Sequence, residues 1–227
     1  MSIRPNRTIA AGKVMGLREA FERELVRVTG GEEGVIRDIV GTCGGLMTGE
    51  NHPVGINLLA GKRWLVRDVK ISGVIMADTD RAYMQGDGFK AEADAIFTRF
   101  DNCEVDGAGD AGFDIKGLHA YLRQCRARDC AKSFRFWSPT YCEEITSLHP
   151  RNHGGANTVA HIGIHHSSGE TVIEELIARD DGATPLVWFD PPGGTVRIKK
   201  HNLGDRPKGA PIKRGVGTII WETGAPV

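Results

Sequence analysis

Residues 13–31 read KVMGLREAFERELVRVTGG, and the spacing of their apolar side chains decides how the rest of the chain is read. Val14, Leu17, Phe21, Leu25 and Val28 recur at intervals of three and four, which gathers them on one side of a helix begun near Thr8 and stopped at Gly30 and Gly31. Working outward, Val35, Ile36, Ile39, Val40, Cys43 and Met47 repeat that spacing ahead of a polar turn ending at Pro53. The run from Leu58 to Val66 is too short to assign. Further helices are expected around Ile96, Phe97 and Phe100, around Ile115, Leu118, Tyr121, Leu122 and Cys125, around Tyr141, Ile145 and Leu148, and around Val172, Ile173, Leu176 and Ile177. Beyond Thr184 the pattern changes. Residues 186–189, 195–198 and 217–221 look like short strands, separated by Pro191-Pro192-Gly193-Gly194 and by a basic, Pro/Gly-containing stretch, residues 199–214. The expectation is a mainly α chain: one helical domain over residues 1–198 and a short β or irregular segment over 199–227.

Composition bounds the function. At 227 residues the chain is long enough to bury a core as a single domain, and no internal repeat is needed to explain it. Twenty-nine basic residues balance twenty-nine acidic ones, which argues against nucleic acid or an anionic membrane as partner. Residues 1–7 are polar and basic, without the apolar run of a secretory signal, and no apolar stretch reaches the length of a membrane span. The five cysteines form no CxxC pair. They read as buried, quiet thiols in a reducing cytoplasm.

Six segments carry a resemblance. Arg4-Pro5-Asn6-Arg7-Thr8-Ile9 is similar to a motif P-R-x-G-R-x-I, and Val74 to Arg81, followed by Gly86-Asp87, Phe89, Phe97 and Phe100, to a shortened E-H-D-x-S-x-S-R-x-D segment with its phenylalanine helix. Leu122-Arg123 through Asp129-Cys130 is similar to a helix rich in arginine and alanine, Phe134 to Trp137 to the aromatic turn after it, Cys142-Glu143-Glu144-Ile145 to Leu148 to G-E-x-A-L-x-L, and Pro185 to Pro191 to L-P-x-x-x-G-W-x-x-P. In this order they resemble the heme-thiolate peroxidases, the chloroperoxidase and peroxygenase family. That resemblance implies a helical, chloroperoxidase-like architecture. It also implies that Glu143 stands where the family has its acid–base glutamate, with Glu144 as the neighbour that a shift of one residue would exchange for it. Asp78 and Arg81, in the second segment, complete the expected catalytic set. The chain departs from the family in lacking the Pro-Cys-Pro motif whose thiolate holds heme iron, and Met76 and Ala77 stand where the Glu-His of the metal-binding triplet would be.

Two further constellations stand on the residues alone. His149, His153, His161, His165 and His166 lie close in sequence, and His161 and His165 have the i, i+4 spacing that places two imidazoles on one helical face, as for a metal or heme iron. Interleaved Gly154, Gly155 and Gly163 favour ordinary hydrogen-bonded histidines instead. Asn102, Glu104, Asp106 and Gly107 imitate the first positions of an EF-hand, but Phe113 stands where its bidentate glutamate belongs, so a loop between two helices is the plainer reading.

The expected function is accordingly an enzyme on a peroxidase-like helical scaffold, without heme. It would use an apolar pocket and Glu143 for acid–base isomerisation, cyclisation or elimination on a small organic substrate. The alternatives are a peroxidase with heme held by His161 or His165, and a non-catalytic small-molecule-binding protein. A homodimer through exposed apolar faces is compatible with each.

Overall fold

The computed structural model describes residues 6–45, 47–48, 52–77, 82–166 and 168–226, and among them there is no helix. The chain forms eighteen strands: β1 Arg7–Ile9, β2 Lys13–Met15, β3 Arg18–Phe21, β4 Glu24–Glu32, β5 Val35–Cys43, β6 Val54–Lys62, β7 Leu65–Val74, β8 Asp87–Ile96, β9 Arg99–Ile115, β10 Tyr121–Arg123, β11 Cys125–Phe136, β12 Tyr141–Leu148, β13 Ala160–Ile164, β14 Thr171–Arg179, β15 Val187–Phe189, β16 Thr195–Asn202, β17 Lys213–Arg214 and β18 Thr218–Trp221. Every pairing between them is parallel, and most strands pair with the strand two places on, as in β4–β6–β8 and β5–β7–β9. Such skipping is what a coil produces when each turn stacks on the one before, and the chain is a parallel β-solenoid. Near the middle, β9, β10, β12 and β11 close a small four-stranded ring, which the other fourteen strands extend.

Single residues in the left-handed backbone region turn the coil. Asp38, Asp68, Asn102 and Gln124 have φ between 51° and 56° and occupy equivalent places on consecutive turns, one residue after the register-matched Arg37, Arg67, Asp101 and Arg123. Glu33, Arg63 and Phe97 (φ 55–57°) do the same at a second corner, and Gly73, Gly107, Asp129 and His149 (φ 47–84°) at a third. Each complete turn thus has three short straight segments. Side-chain alternation along each segment sends one row inward.

The inward rows are apolar and in register. Ile36, Val66, Phe100, Leu122, Cys142 and Ile173 stack on the first face, all fully buried. On the third face Ile56, Phe89, Phe113, Phe134 and Ile162 stack likewise, with ring centroids of Phe89–Phe113 and Phe113–Phe134 at 4.7 and 5.0 Å and planes within 14°. Each such aromatic pair adds about 0.5–1.5 kcal/mol beyond the area it buries. On this face two successive positions point inward, and the first must be small: a Cβ on Gly88 would lie 2.5 Å from Val105 Cγ2 and 2.7 Å from the Gly112 carbonyl oxygen.

The mainly α expectation is therefore overturned, and with it the peroxidase resemblance. Segments that carried the resemblance are strands: Leu122 and Cys125 lie on β10 and β11, Glu143 on β12, and Val187 to Phe189 on β15. Arg4, Asp78 and Arg81 lie outside the described residues. The helix expected from Val14 to Val28 is β2, β3 and the start of β4, on three different faces. The EF-hand-like stretch is the extended strand β9. All five cysteines are buried and unpaired, and burial pushes the thiols of Cys43, Cys103, Cys130 and Cys142 upward.

Candidate functional site: a buried aspartate cluster on one face

The third face carries an outward row that runs Arg27, Asn57, Lys90, Asp114, Arg135, Gly163, Trp188 in register. Beside it runs Asp87, Ala111, Lys132, Ala160. Outward charged residues are ordinarily wet, yet Asp87, Asp110, Asp114 and Lys132 are exposed by only 1–4%. They are covered because residues 82–86, ahead of β8, and the connection after β12 fold over this face. Asn157 stitches the two together: its side chain accepts from the Met84 N–H at 2.7 Å and donates to the Met84 and Gly109 carbonyls at 2.8 and 3.3 Å.

Within the cluster the hydrogen bonds converge on Asp110. The Tyr83 hydroxyl donates to it at 2.6 Å and Arg135 Nη1 at 3.1 Å, and the same Arg135 nitrogen donates to the Tyr83 oxygen at 3.2 Å. Among the described residues, Asp87 accepts the Ala111 N–H, at 3.2 Å. Trp137 donates its indole N–H to Asp114 at 2.6 Å and lies under the Arg135 guanidinium at 4.4 Å, with the His165 ring edge-on at 3.7 Å. Lys116 pairs with Asp114 at 3.4 Å and with Glu92 at 3.0 Å. Trp188 donates to Asp190, whose other oxygen is 3.6 Å from His165 Nδ1. Arg135 Nε and His165 Nδ1 are buried without a hydrogen-bond partner.

Burial and mutual repulsion separate the acids. Loss of hydration first, and then the charges of Asp114 and Asp110, raise the Asp87 carboxyl well above the usual carboxylate range. Asp110 is raised too, by burial, but Arg135 and Lys132 pull it back. Burial lowers Lys132 and His165, and raises Tyr83 with help from Asp110. The arrangement therefore sets a carboxyl raised chiefly by burial near one that is also raised but accepts hydrogen bonds from a guanidinium and a phenol. Two carboxyls in such unlike surroundings are what acid–base chemistry needs.

The residues picked from sequence fall elsewhere. Glu143 is exposed on the outer side of β12, where it accepts the Tyr121 hydroxyl in an outward ladder that continues with Tyr141, Glu174 and Lys199, so it stands at the surface and not on the inward, apolar side. Glu144, on the same strand, lines a groove of about 430 Å³ in which Arg123 pairs with Asp101 at 2.8 Å and Arg67 with Asp68 at 3.2 Å. His161 and His165 do not share a face as on a helix: His161 is fully buried inside β13, whereas His165 lies past the strand end, beside Trp137. His153 Nε2 lies 2.6 Å from the Asp129 carbonyl oxygen and His166 Nε2 3.0 Å from Thr171 Oγ1. Asp87 and the Trp137 region had been placed only as parts of the resemblance. The local hint of the cluster is charge recurring on one face at successive levels, with Asp87 and Lys90, then Asp114, then Lys132 and Arg135. Compared with protein-family models, with curated proteins and with solved structures, the chain matches none.

Proposed function

We propose that the protein cleaves a glycosidic bond in an extended, hydroxyl-rich polymer by acid–base catalysis at the Asp87–Asp110 cluster. The observation that carries this reading is the buried Asp87, its carboxyl raised by loss of hydration, in one cluster with the hydrogen-bonded, guanidinium-paired Asp110. Glycoside hydrolysis asks for that division of labour between two carboxyl groups. Asp87 gives its proton to the leaving oxygen as the C–O bond breaks. Asp110 takes a proton from the water that attacks the anomeric carbon.

The charge balance of the cluster supports a carbohydrate over an ion. Lys90, Lys116, Lys132 and Arg135 balance Glu92, Asp110, Asp114 and Asp190 once Asp87 is protonated, so the site is polar but close to neutral. The row on which it lies continues along the solenoid to Trp188, in the manner of a surface for a long ligand. Arg135 Nε and His165 Nδ1, buried and unpaired, are donors or acceptors available to sugar hydroxyls. The test is release of reducing ends from a panel of polysaccharides by the whole chain. Asp87→Asn and Asp110→Asn are each expected to lower the rate by about 10²–10⁴-fold. Absence of cleavage across the panel, or full activity in Asp87→Asn, overturns the reading.

A further inference from the structure

A different part of the molecule carries an inference of its own. Leu148 of β12 and Arg179 of β14 face each other in register, so the residues that follow, His149 and Asp180, meet at the same corner of adjacent turns. His149 Nδ1 lies 3.5 Å from Asp181 Oδ1, and one donor atom each of His149, Asp180 and Asp181 falls within 4.8 Å of the others. Acidic clusters commonly form without a ligand. Here a second observation points to one: His161, with no exposure at all, has no hydrogen-bond partner for Nε2, which sits 3.8 Å from Asp180 Oδ2.

The second nitrogen of His161 is already occupied: Nδ1 lies 2.7 Å from Ser147 Oγ, which is also 2.7 Å from Ser133 Oγ. With the ring proton on Nδ1, Nε2 offers a lone pair toward a carboxylate oxygen in a fully buried place, and a cation between the two would satisfy both. Asp180 is fixed for ligation, its two oxygens accepting the Gly182 and Thr184 N–H groups at 2.9 and 3.0 Å. Arg206 is the charged group facing it from the opposite connection, held by the Thr184 and Pro211 carbonyls at 2.6 and 3.2 Å. One guanidinium against two carboxylates leaves net negative charge for an ion.

We propose that His149, His161, Asp180 and Asp181 form a binding site for a divalent transition ion of the zinc class. Two imidazoles and two carboxylates supply the four N/O donors that tetrahedral zinc takes, whereas calcium and magnesium ask for more oxygens. Ser147 holds the second nitrogen of His161, as outer partners of ligating histidines do.

The test is calorimetric titration of the full chain with Zn²⁺, joined by Co²⁺ as a spectroscopic probe. A single Zn²⁺ per chain is expected, and Co²⁺ should give the intense visible bands of four-coordination. His149→Ala and Asp181→Asn should each weaken binding by about tenfold or more. Their side chains are 43% and 91% exposed, so metal-free melting temperatures should match the parent's and separate lost binding from lost folding. Binding well below one ion per chain, unchanged affinity in both variants, or a weak six-coordinate Co²⁺ spectrum overturns the proposal.

Discussion

Two outward ladders of the same solenoid carry charged residues in register, and they differ in what lies over them. On the first face Tyr121, Glu143, Tyr141, Glu174 and Lys199 stand open to water. On the third face Asp87, Asp110, Asp114, Lys132 and Arg135 stand beneath Tyr83 and the Asn157 stitch. Residue types are similar in the two places. What distinguishes them is a roof, because hydration masks a carboxylate's neighbours and burial exposes it to them.

Four outcomes break or sharpen that contrast. The largest is catalytic: Asp87→Asn and Asp110→Asn should lose about 10²–10⁴-fold in polymer cleavage, whereas Glu143→Gln should keep the parental rate in the same assay. Next comes the support beneath the covered ladder. Phe113→Ala removes the middle ring of the Phe89–Phe113–Phe134 stack and should cost about 3–5 kcal/mol in denaturant unfolding.

The third concerns pH. Asp87 ionises near pH ~3.9 when unfolded but well above that when folded. Below that value both states hold the proton. As pH rises the unfolded state loses it first, so Asp87 subtracts stability progressively until the folded carboxyl also ionises. Urea midpoints at about pH 5 and about pH 7 should show the parent losing more stability across the interval than Asp87→Asn does. At neutral pH the inactive variant should be the more stable protein. If the midpoints of the two move in parallel, the burial assigned to Asp87 is wrong. The smallest effect is again on the open ladder, where Glu143→Gln should shift stability by less than about 0.5 kcal/mol.

Why the sequence reads as helical can be traced to the corners. A strand alternates with period two, but each left-handed residue between faces adds a step, so inward residues on either side are three apart. Ile36 and Ile39 bracket Asp38, Val66 and Val69 bracket Asp68, Phe100 and Cys103 bracket Asn102, and Leu122 and Cys125 bracket Gln124. Repeated along the chain, those intervals imitate one side of a helix. The coil repeat is hidden as well, because connections such as 75–86 and 149–159 lengthen some turns and not others. What was legible was local: the strands near residues 186–189, 195–198 and 217–221 correspond to β15, β16 and β18, where β-branched residues cluster between Pro and Gly. The site was not, since its acids come together through register and a roof, and neither is written in spacing.

A coil in which each turn touches chiefly its two neighbours has no long-range clamp. Among the described residues, the strands of its terminal turns, β1 to β3 at one end and β17 and β18 at the other, are paired on one side. Heat or a pulling force should therefore unzip the molecule from its ends toward the middle. Amide hydrogens of Ile219 and Ile220 should exchange long before those of Val105 and Phe134. The proposed catalytic cluster, seated on β8, β9 and β11, would be among the last parts to come undone.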